Sequence, residues 1–155
     1  MSDLRDLILP GAVLSRLSAA NKRQALQAMA DALAGAAKLD ARAVFDAVMM
    51  RERLAGTGVG EGAAIPHARL AGLDAPIGAF ARLDPPIDFD ALDGRPADLV
   101  FMLLAPADKG GDHLKALARV ARALRRADVR ERLRAARGGD EVLAVFTAPA
   151  HSDAA

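Results

Sequence analysis

The sequence predicts a single α/β domain in which a central mixed β-sheet is covered by helices on both sides. Three observations lead to this prediction. Segments whose apolar residues recur at helical spacing alternate with short segments of strand character. Residues 97–106 are apolar almost without a break, as expected for a strand buried on both faces of a sheet. A length of 155 residues fits one domain with a sizeable core.

The first part of the chain is predicted to form a strand and two helices. Residues 12–17 have strand character, and a helix follows over residues 18–39, with Ser18 or Asn21 as its cap. The apolar face of this helix consists of Leu26, Met29, Leu33 and Ala36. Asp40 caps a second helix over residues 41–55. The apolar face of that helix ends at an arginine: its residues at helical spacing are Val44, Ala47, Val48 and Arg51.

A glycine-rich loop, the glycine segment, covers residues 56–62 and is followed by two predicted strands. The first covers residues 75–83, and the second is the apolar segment 97–106. The acidic stretch between them is rich in turn residues, with a tight turn at Asp93–Gly94. The chain is thus predicted to add these two strands to the sheet before its last helices.

Three helices are predicted after the last strand. Gly110–Gly111 interrupts the chain, Asp112 caps, and a helix begins at His113. Its apolar stripe consists of Leu114, Leu117, Ala121 and Leu124. Two shorter helices follow at residues 129–137 and 140–148.

Composition excludes several classes of protein. The net charge of +1 provides no strong field toward nucleic acid or an anionic membrane. The absence of cysteine excludes disulfides, thiolate nucleophiles and cysteine metal sites. The N-terminus does not resemble a signal peptide, and no apolar run reaches the roughly 18 residues that span a bilayer. We therefore expect a cytoplasmic protein with no membrane insertion.

Eight arginines form the one strongly basic region of the chain. They are Arg119, Arg122, Arg125, Arg126, Arg130, Arg132, Arg134 and Arg137. They fall all round two predicted helices, and the chain has no tryptophan or tyrosine on which bases could stack. We therefore predict a solvated helical surface, able to contact an acidic protein, and no nucleic-acid partner.

The segment TGVGEGAAIPHARL, residues 57–70, ends close to His67 and allows three kinds of chemistry. It satisfies the dinucleotide pattern G-x-G-x-x-[GA], but a helix-like stretch precedes it and Pro66 prevents a helix from opening on it. His67 and His113 with an aspartate could bind zinc, although the chain lacks the closely spaced ligand pairs typical of zinc sites. The third interpretation is a histidine that itself reacts.

A reacting histidine would need particular surroundings. To accept a phosphoryl group, His67 needs one ring nitrogen exposed, the other held by an acceptor, and donors around the phosphoryl oxygens. The residues alone equally allow a histidine at a strand end that is only held by a backbone carbonyl. His113 lies beside Asp112 at a helix N-terminus, where the dipole lowers its pKa. It is therefore either a surface residue or a neutral hydrogen-bonding group.

Several motifs in order resemble one protein family. They are RERLAGTGVGEGAAIPHARL at residues 51–70, P-I-x-F-x-A-x-D at 86–93, D-L-x-F-x-L-L-x-P at 98–106 and H-L-x-x-L at 113–117. Together they resemble the IIA proteins of the bacterial phosphotransferase system, of mannitol/fructose type, and most closely their nitrogen-regulatory members. The resemblance covers residues 5–147 as one domain and leaves 148–155 as a flexible tail.

The resemblance implies a fold like that of the mannitol-specific IIA proteins, with no metal and no organic cofactor. It implies that a small histidine-phosphocarrier protein phosphorylates His67 on Nε2. His113 matches the second active-site histidine, which supports the phosphoryl group, and Arg51 matches the arginine that stabilises its oxygens. We expect backbone amides of the glycine segment to add donors. Many relatives have glycine after the active histidine; at Ala68 we expect ordinary backbone angles.

The predicted function is that of a regulatory IIA protein in a nitrogen-related phosphotransferase system. Such a protein is a phosphotransferase component that acts mainly by controlling target proteins through its phosphorylation state. The alternative is a stand-alone IIA component of a fructose/mannitol-type sugar transport system, which shares every active-site residue. A third alternative is an interaction module without phosphotransfer, against which the presence of His67, His113 and Arg51 argues.

Overall fold

Six strands and five helices form the parts of the chain that the computed structural model describes, residues 3–108 and 110–147. The strands are β1 (Ile8–Leu17), β2 (Gly58–Gly60), β3 (Ala63–Ala64), β4 (His67–Leu70), β5 (Ile77–Ile87) and β6 (Ala97–Pro106). The helices are α1 (Lys22–Ala37), α2 (Ala41–Leu54), α3 (Gly110–Arg125), α4 (Ala127–Ala135) and α5 (Gly139–Thr147). The predicted tail at 148–155 lies outside the described residues.

The strands form one mixed sheet in the order β1-β5-β6-β3-β2. β5 and β6 are antiparallel neighbours, and β1 runs parallel to β5. β3 and β4 follow each other along the other side of β6, both parallel to it, with Ile65 and Pro66 between them. The predicted mixed sheet is confirmed, with β6 at its centre.

Helices cover both faces of this sheet, as predicted. α1 and α2 pack on one face and α3, α4 and α5 on the other, so that the protein has two apolar cores. Successive residues of β6 alternate between the two cores: Val100 and Met102 face α1 and α2, whereas Leu99 and Phe101 face the other layer. This alternation explains why the segment is apolar at almost every position.

Side-chain caps begin the first two helices. The side chain of Asn21 accepts a hydrogen bond of 2.9 Å from the backbone N–H of Gln24. Asp40 does the same at 3.0 Å for the N–H of Arg42. Both bonds satisfy donors that a helix start leaves free. Of the two caps proposed for α1, Asn21 is therefore the one used, and α1 begins later than predicted.

Three predicted helix faces need correction, because contact with the sheet selects a slightly different set of residues. In α3, Leu114 is 64% exposed, and the buried face is His113, Ala116, Val120, Ala123 and Leu124. In α1, Ala36 is exposed and Ala34 is buried instead. In α2, the buried residues are Val44, Phe45, Val48 and Glu52, with Arg51 half-buried beside them.

The largest difference from the sequence prediction lies in the glycine segment. The sequence predicts a loop over residues 56–62, but the hairpin β2–β3 occupies most of it, and β4 begins after Ile65 and Pro66. These strands are too short to show an alternation of side chains, so only their pairing reveals them, that of β2 with β3 and those of β3 and β4 with β6. Smaller differences are that β5 continues to Ile87 and that α3 and α4 begin at Gly110 and Ala127.

Candidate active site

His67 is the first residue of β4. Its Nδ1 lies 2.7 Å from the carbonyl oxygen of Ile65. A carbonyl oxygen only accepts hydrogen bonds, so Nδ1 carries the ring hydrogen and the lone pair of Nε2 is free. The side chain is half-buried. One nitrogen is thus held by the backbone, and the other keeps an available lone pair.

Arg51 reaches the site from the last turn of α2. Its Nη1 donates a hydrogen bond of 2.8 Å to the carbonyl oxygen of Ala55, just beyond the end of the helix. Helix ends leave such carbonyls without an intrahelical partner, so this bond anchors the guanidinium group. The arginine is close enough for its charge to influence the titration of His67.

His113 reaches the site from the first turn of α3, on the opposite face of the sheet. The centroids of its ring and that of His67 are 5.3 Å apart, and the ring planes are inclined by 51°. The residue is only 7% exposed, and its Nδ1 has no hydrogen-bond partner within residues 3–108 and 110–147. A histidine buried in this way is favoured in its neutral form.

Both histidines have a pKa below the ordinary value of 6.5. For His67, burial is the main cause and the charge of Arg51 adds to it, against the opposing hydrogen bond to Ile65. For His113, burial comes first, followed by the charges of His67, Arg69 and Arg51. Both rings are therefore neutral at neutral pH, which is the nucleophilic state of an imidazole.

The three side chains meet at a shallow depression of about 410 Å³. Its rim is apolar, because Met50 and Leu54 of α2 are 68% and 81% exposed. A second depression of about 290 Å³, also lined by Arg51 and His67, has the exposed Val59 in its wall. Exposed apolar side chains around a polar centre are typical of a surface that contacts another protein.

Arg69 also lines the larger depression, and the sequence analysis missed it. Its positive charge lowers the pKa of His113. It follows His67 by two residues in β4. Side chains two apart in a strand project to the same side, so this spacing was the signal that could have found it.

The glycines of the segment allow close packing inside the protein. A Cβ atom on Gly56 or Gly58 would lie 2.8 Å from the Cβ of Asp90 or Ala91, respectively. At the hairpin turn, Gly60 and Gly62 have φ angles of 91° and 80°, which favour glycine. These glycines therefore bring β2 and its flanks against the loop at residues 89–91.

Two of the backbone amides expected to bind a phosphoryl group already have partners. The N–H of Thr57 donates to Glu52 at 3.0 Å, and the N–H of Glu61 donates to Asp93 at 2.9 Å. The carbonyl of Glu61 accepts from Arg134 as well. At these two positions the amides of the segment thus serve its internal anchoring.

Ala68 lies in β4, paired with Leu104 of β6. It is not among the residues with positive φ, which outside glycine are Lys38, Glu61 and Asp90 in the described chain. The expected ordinary backbone angles are confirmed. Alanine therefore fits this position without strain.

The other interpretations of the segment find little support in the geometry. The glycines form a strand hairpin rather than a turn that opens a helix, unlike a dinucleotide loop. Across residues 3–108 and 110–147, no group of three or more side chains could hold a metal ion.

Three of the basic-region arginines form ion pairs: Arg119 with Asp6, Arg126 with Asp128 and Arg134 with Asp98. No described helix is long and apolar enough to cross a membrane.

Comparison with known protein families shows to which family this chain belongs. The profile of the family described as "Phosphoenolpyruvate-dependent sugar phosphotransferase system, EIIA 2" matches residues 7–148. The chain belongs to this family. The resemblance inferred from the motifs is therefore confirmed.

Individual relatives in the family carry two kinds of name. A nitrogen regulatory protein of Bradyrhizobium diazoefficiens is 49% identical over 146 residues, which cover 94% of this chain and 95% of the relative. A fructose-specific EIIA component of a phosphotransferase system from Haloferax volcanii is 46% identical over 115 residues, covering 74% of this chain and 75% of the relative. The longer match is to the nitrogen regulatory protein.

A solved structure confirms the fold. The crystal structure of nitrogen regulatory protein IIA-Ntr from Neisseria meningitidis superposes with a TM-score of 0.85 at 33% identity. The match covers 92% of this chain and 97% of the other. The mixed sheet with helices on both faces is thus the fold of this EIIA family.

Proposed function

We propose that this chain is a regulatory IIA protein that accepts a phosphoryl group on Nε2 of His67 from a histidine-phosphocarrier protein. The observation that carries the proposal is the hydrogen bond between Nδ1 of His67 and the carbonyl of Ile65, which leaves the Nε2 lone pair free. The nearby positions of Arg51 and His113 and membership of the EIIA family support it.

The proposed reaction transfers a phosphoryl group between two imidazole rings. The lone pair of Nε2 of His67 forms a bond to phosphorus while the P–N bond of the carrier's phosphohistidine breaks. The pair of that broken bond returns to the carrier's ring nitrogen, and the carrier's ring leaves as neutral imidazole because its other nitrogen carries a proton. The Nδ1 hydrogen of His67 remains on its own ring, which becomes an imidazolium. Arg51 and His113, from opposite sides of the sheet, stabilise the charge on the phosphoryl oxygens.

The regulatory consequence follows from charge. A phosphoryl group adds up to about two negative charges at one point of a surface with an exposed apolar rim. Such a change strengthens contacts with a basic partner and weakens contacts with an apolar or acidic one. The name of the Bradyrhizobium relative, nitrogen regulatory protein, supports a regulatory role.

A sugar-transport role is the second candidate, and the fructose-specific relative favours it. In that role the phosphoryl group would pass from His67 to a IIB domain rather than act as a signal. Incubating the phosphorylated protein with a purified IIB domain of fructose or mannitol type separates the two. Rapid transfer supports transport, whereas a long-lived phosphoprotein supports regulation.

The phosphoryl-acceptor role is tested by intact-mass measurement after mixing with the phosphorylated carrier. We expect one phosphoryl group on the wild-type protein and none on His67→Ala. His151→Ala is the matched control and should accept as the wild type does. An unmodified wild-type protein, or a phosphorylated His67→Ala variant, would falsify the proposal.

A further inference from the structure

A buried carboxylate lies behind the site, and the phosphotransfer chemistry does not use it. Glu52 follows Arg51 in α2 but turns inward, where the residue is only 5% exposed. Its Oε1 accepts a hydrogen bond of 2.7 Å from the hydroxyl of Thr57. Its Oε2 accepts one of 3.0 Å from the Thr57 backbone N–H and another of 3.0 Å from Nζ of Lys22. A carboxylate is buried at high cost unless it is bonded in this way.

The bonds of Glu52 continue toward the reactive histidine. The carbonyl of Thr57 accepts a hydrogen bond of 3.0 Å from the N–H of Ile65. The carbonyl of Ile65 in turn accepts the bond from Nδ1 of His67 at 2.7 Å. Three successive links thus join Glu52 to the ring nitrogen whose hydrogen determines the tautomer.

Lys22 also holds the Glu52 carboxylate, in addition to Thr57. Lys22 bridges Glu52 to Asp90 at 2.7 Å, and its Nζ lies 5.6 Å from the centroid of the Phe89 ring. Burial alone would lower the pKa of Lys22, but its bonds to Asp90 and Glu52 outweigh that effect and raise it. Lys22 is therefore charged, and it holds the loop that packs against Gly56 and Gly58.

We propose that Glu52 is a positioning residue for phosphoryl transfer. Its carboxylate fixes Thr57, Thr57 fixes Ile65, and the Ile65 carbonyl holds His67 with hydrogen on Nδ1 and the lone pair on Nε2. Arg51 and Glu52 are adjacent in one helix, so α2 supplies both the cation near the phosphoryl group and the anchor of its acceptor. The proposal rests on the phosphoryl-acceptor function proposed above.

The first test is Glu52→Gln. An amide has one accepting oxygen, so it cannot accept from both groups of Thr57 and from Lys22 as the carboxylate does. The ¹⁵N chemical shifts of the His67 ring report its tautomer in the folded protein without any donor. We expect mainly Nδ1–H in the wild type and a mixture of tautomers in Glu52→Gln. We also expect kcat for phosphoryl acceptance to fall about tenfold to a hundredfold, with KM for the carrier changed less than about twofold.

A second pair of variants covers the case in which Glu52→Gln does not fold. Thr57→Val removes the hydroxyl but keeps the shape, and Thr57→Ser keeps the hydroxyl. We expect Thr57→Val to shift the tautomer in the same direction with a smaller loss of kcat, and Thr57→Ser to match the wild type. These variants leave the backbone N–H of Thr57 in place.

The outcomes separate the positioning role from the function on which it rests. If the variants lower only the melting temperature while the tautomer and kcat of the folded molecules stay as in the wild type, Glu52 is purely structural and the proposal is overturned. If the wild type accepts no phosphoryl group, the proposed function fails. The nitrogen shifts still decide in that case whether Glu52 holds the ring of His67.

Discussion

Two neighbouring residues of α2 act on His67 in opposite electrostatic directions. The positive charge of Arg51 lowers the pKa of His67, and the negative charge of Glu52 raises it. Burial is larger than either and keeps the pKa below 6.5. At pH 6.5, where an ordinary histidine is half protonated, the neutral form of this ring therefore predominates, and in that form its free Nε2 is nucleophilic.

A pH dependence follows from these shifts. We expect phosphoryl acceptance to fall as His67 becomes protonated, with a midpoint below pH 6.5. In Arg51→Gln the midpoint of the His67 titration, followed by NMR, should move upward but remain depressed, because burial is the main cause. An unchanged midpoint in that variant would show that the guanidinium does not act on the ring.

The same shifts predict how stability changes with pH. Because the folded protein binds protons to His67 and His113 less readily than the unfolded chain, stability is fully present above pH 6.5. It is lost as the pH falls from there through the lowered pKa values. Urea titrations at several pH values should therefore show a smaller loss in His113→Gln than in the wild type.

At the scale of elements, the hairpin β2–β3 and strand β4 form the support of the site. Gly56 and Gly58 bring it against the loop at residues 89–91, and Glu52 anchors it from α2. The turn at its far end is tied to Asp93 and Arg134. The segment that precedes His67 is thus held at several points, and this restricts the position of the ring.

Substitution of the packed glycine tests this support. In Gly58→Ala the new Cβ would meet Ala91 at 2.8 Å, and we expect a loss of about 1–3 kcal/mol in the free energy of unfolding. Phosphoryl acceptance should slow as well, because Thr57 is the adjacent residue. Gly35→Ala in α1 meets nothing within 4 Å and should gain about 0.5–1 kcal/mol. Equal stabilities of the two variants in urea unfolding would contradict the tight packing at Gly58.

For the whole molecule, the site lies where the two helical layers meet at an edge of the sheet. Arg51 belongs to the layer of α1 and α2, His113 to the layer of α3 to α5, and His67 to a strand between them. The relative position of the three side chains therefore depends on both cores at once. Partial unfolding of either layer would separate the groups that surround Nε2.

The apolar core between the sheet and helices α3, α4 and α5 depends on the last helix. Phe146 is fully buried, with ring centroids 5.1 Å from Phe80 and 5.5 Å from Phe101. We expect Phe146→Ala to lower the free energy of unfolding by about 3–5 kcal/mol, measured by urea denaturation. Leu92→Ala, at a fully exposed position, should change it by less than about 0.5 kcal/mol. A loss below about 1 kcal/mol in Phe146→Ala would mean that α5 contributes little to this core.

The sequence by itself determined the parts of this protein that depend on local chemistry. The caps at Asn21 and Asp40 were readable because a short polar side chain before an apolar repeat satisfies nearby N–H groups. β6 was readable because a strand between two cores is apolar on both sides. The ordered motifs brought His67, His113 and Arg51 to attention, and the structure places the three together.

Only the tertiary structure decided the parts that depend on distant neighbours. β3 and β4 exist because β6 offers them a partner, and β2 because β3 does, and all three strands are too short to carry a periodic signal. Glu52 lies four and eight residues after Val48 and Val44, which was a weak sign that it is buried, but only the fold brings it to Thr57 and Lys22. A charged group can be buried only where partners satisfy it, and those partners come from α1 and the glycine segment.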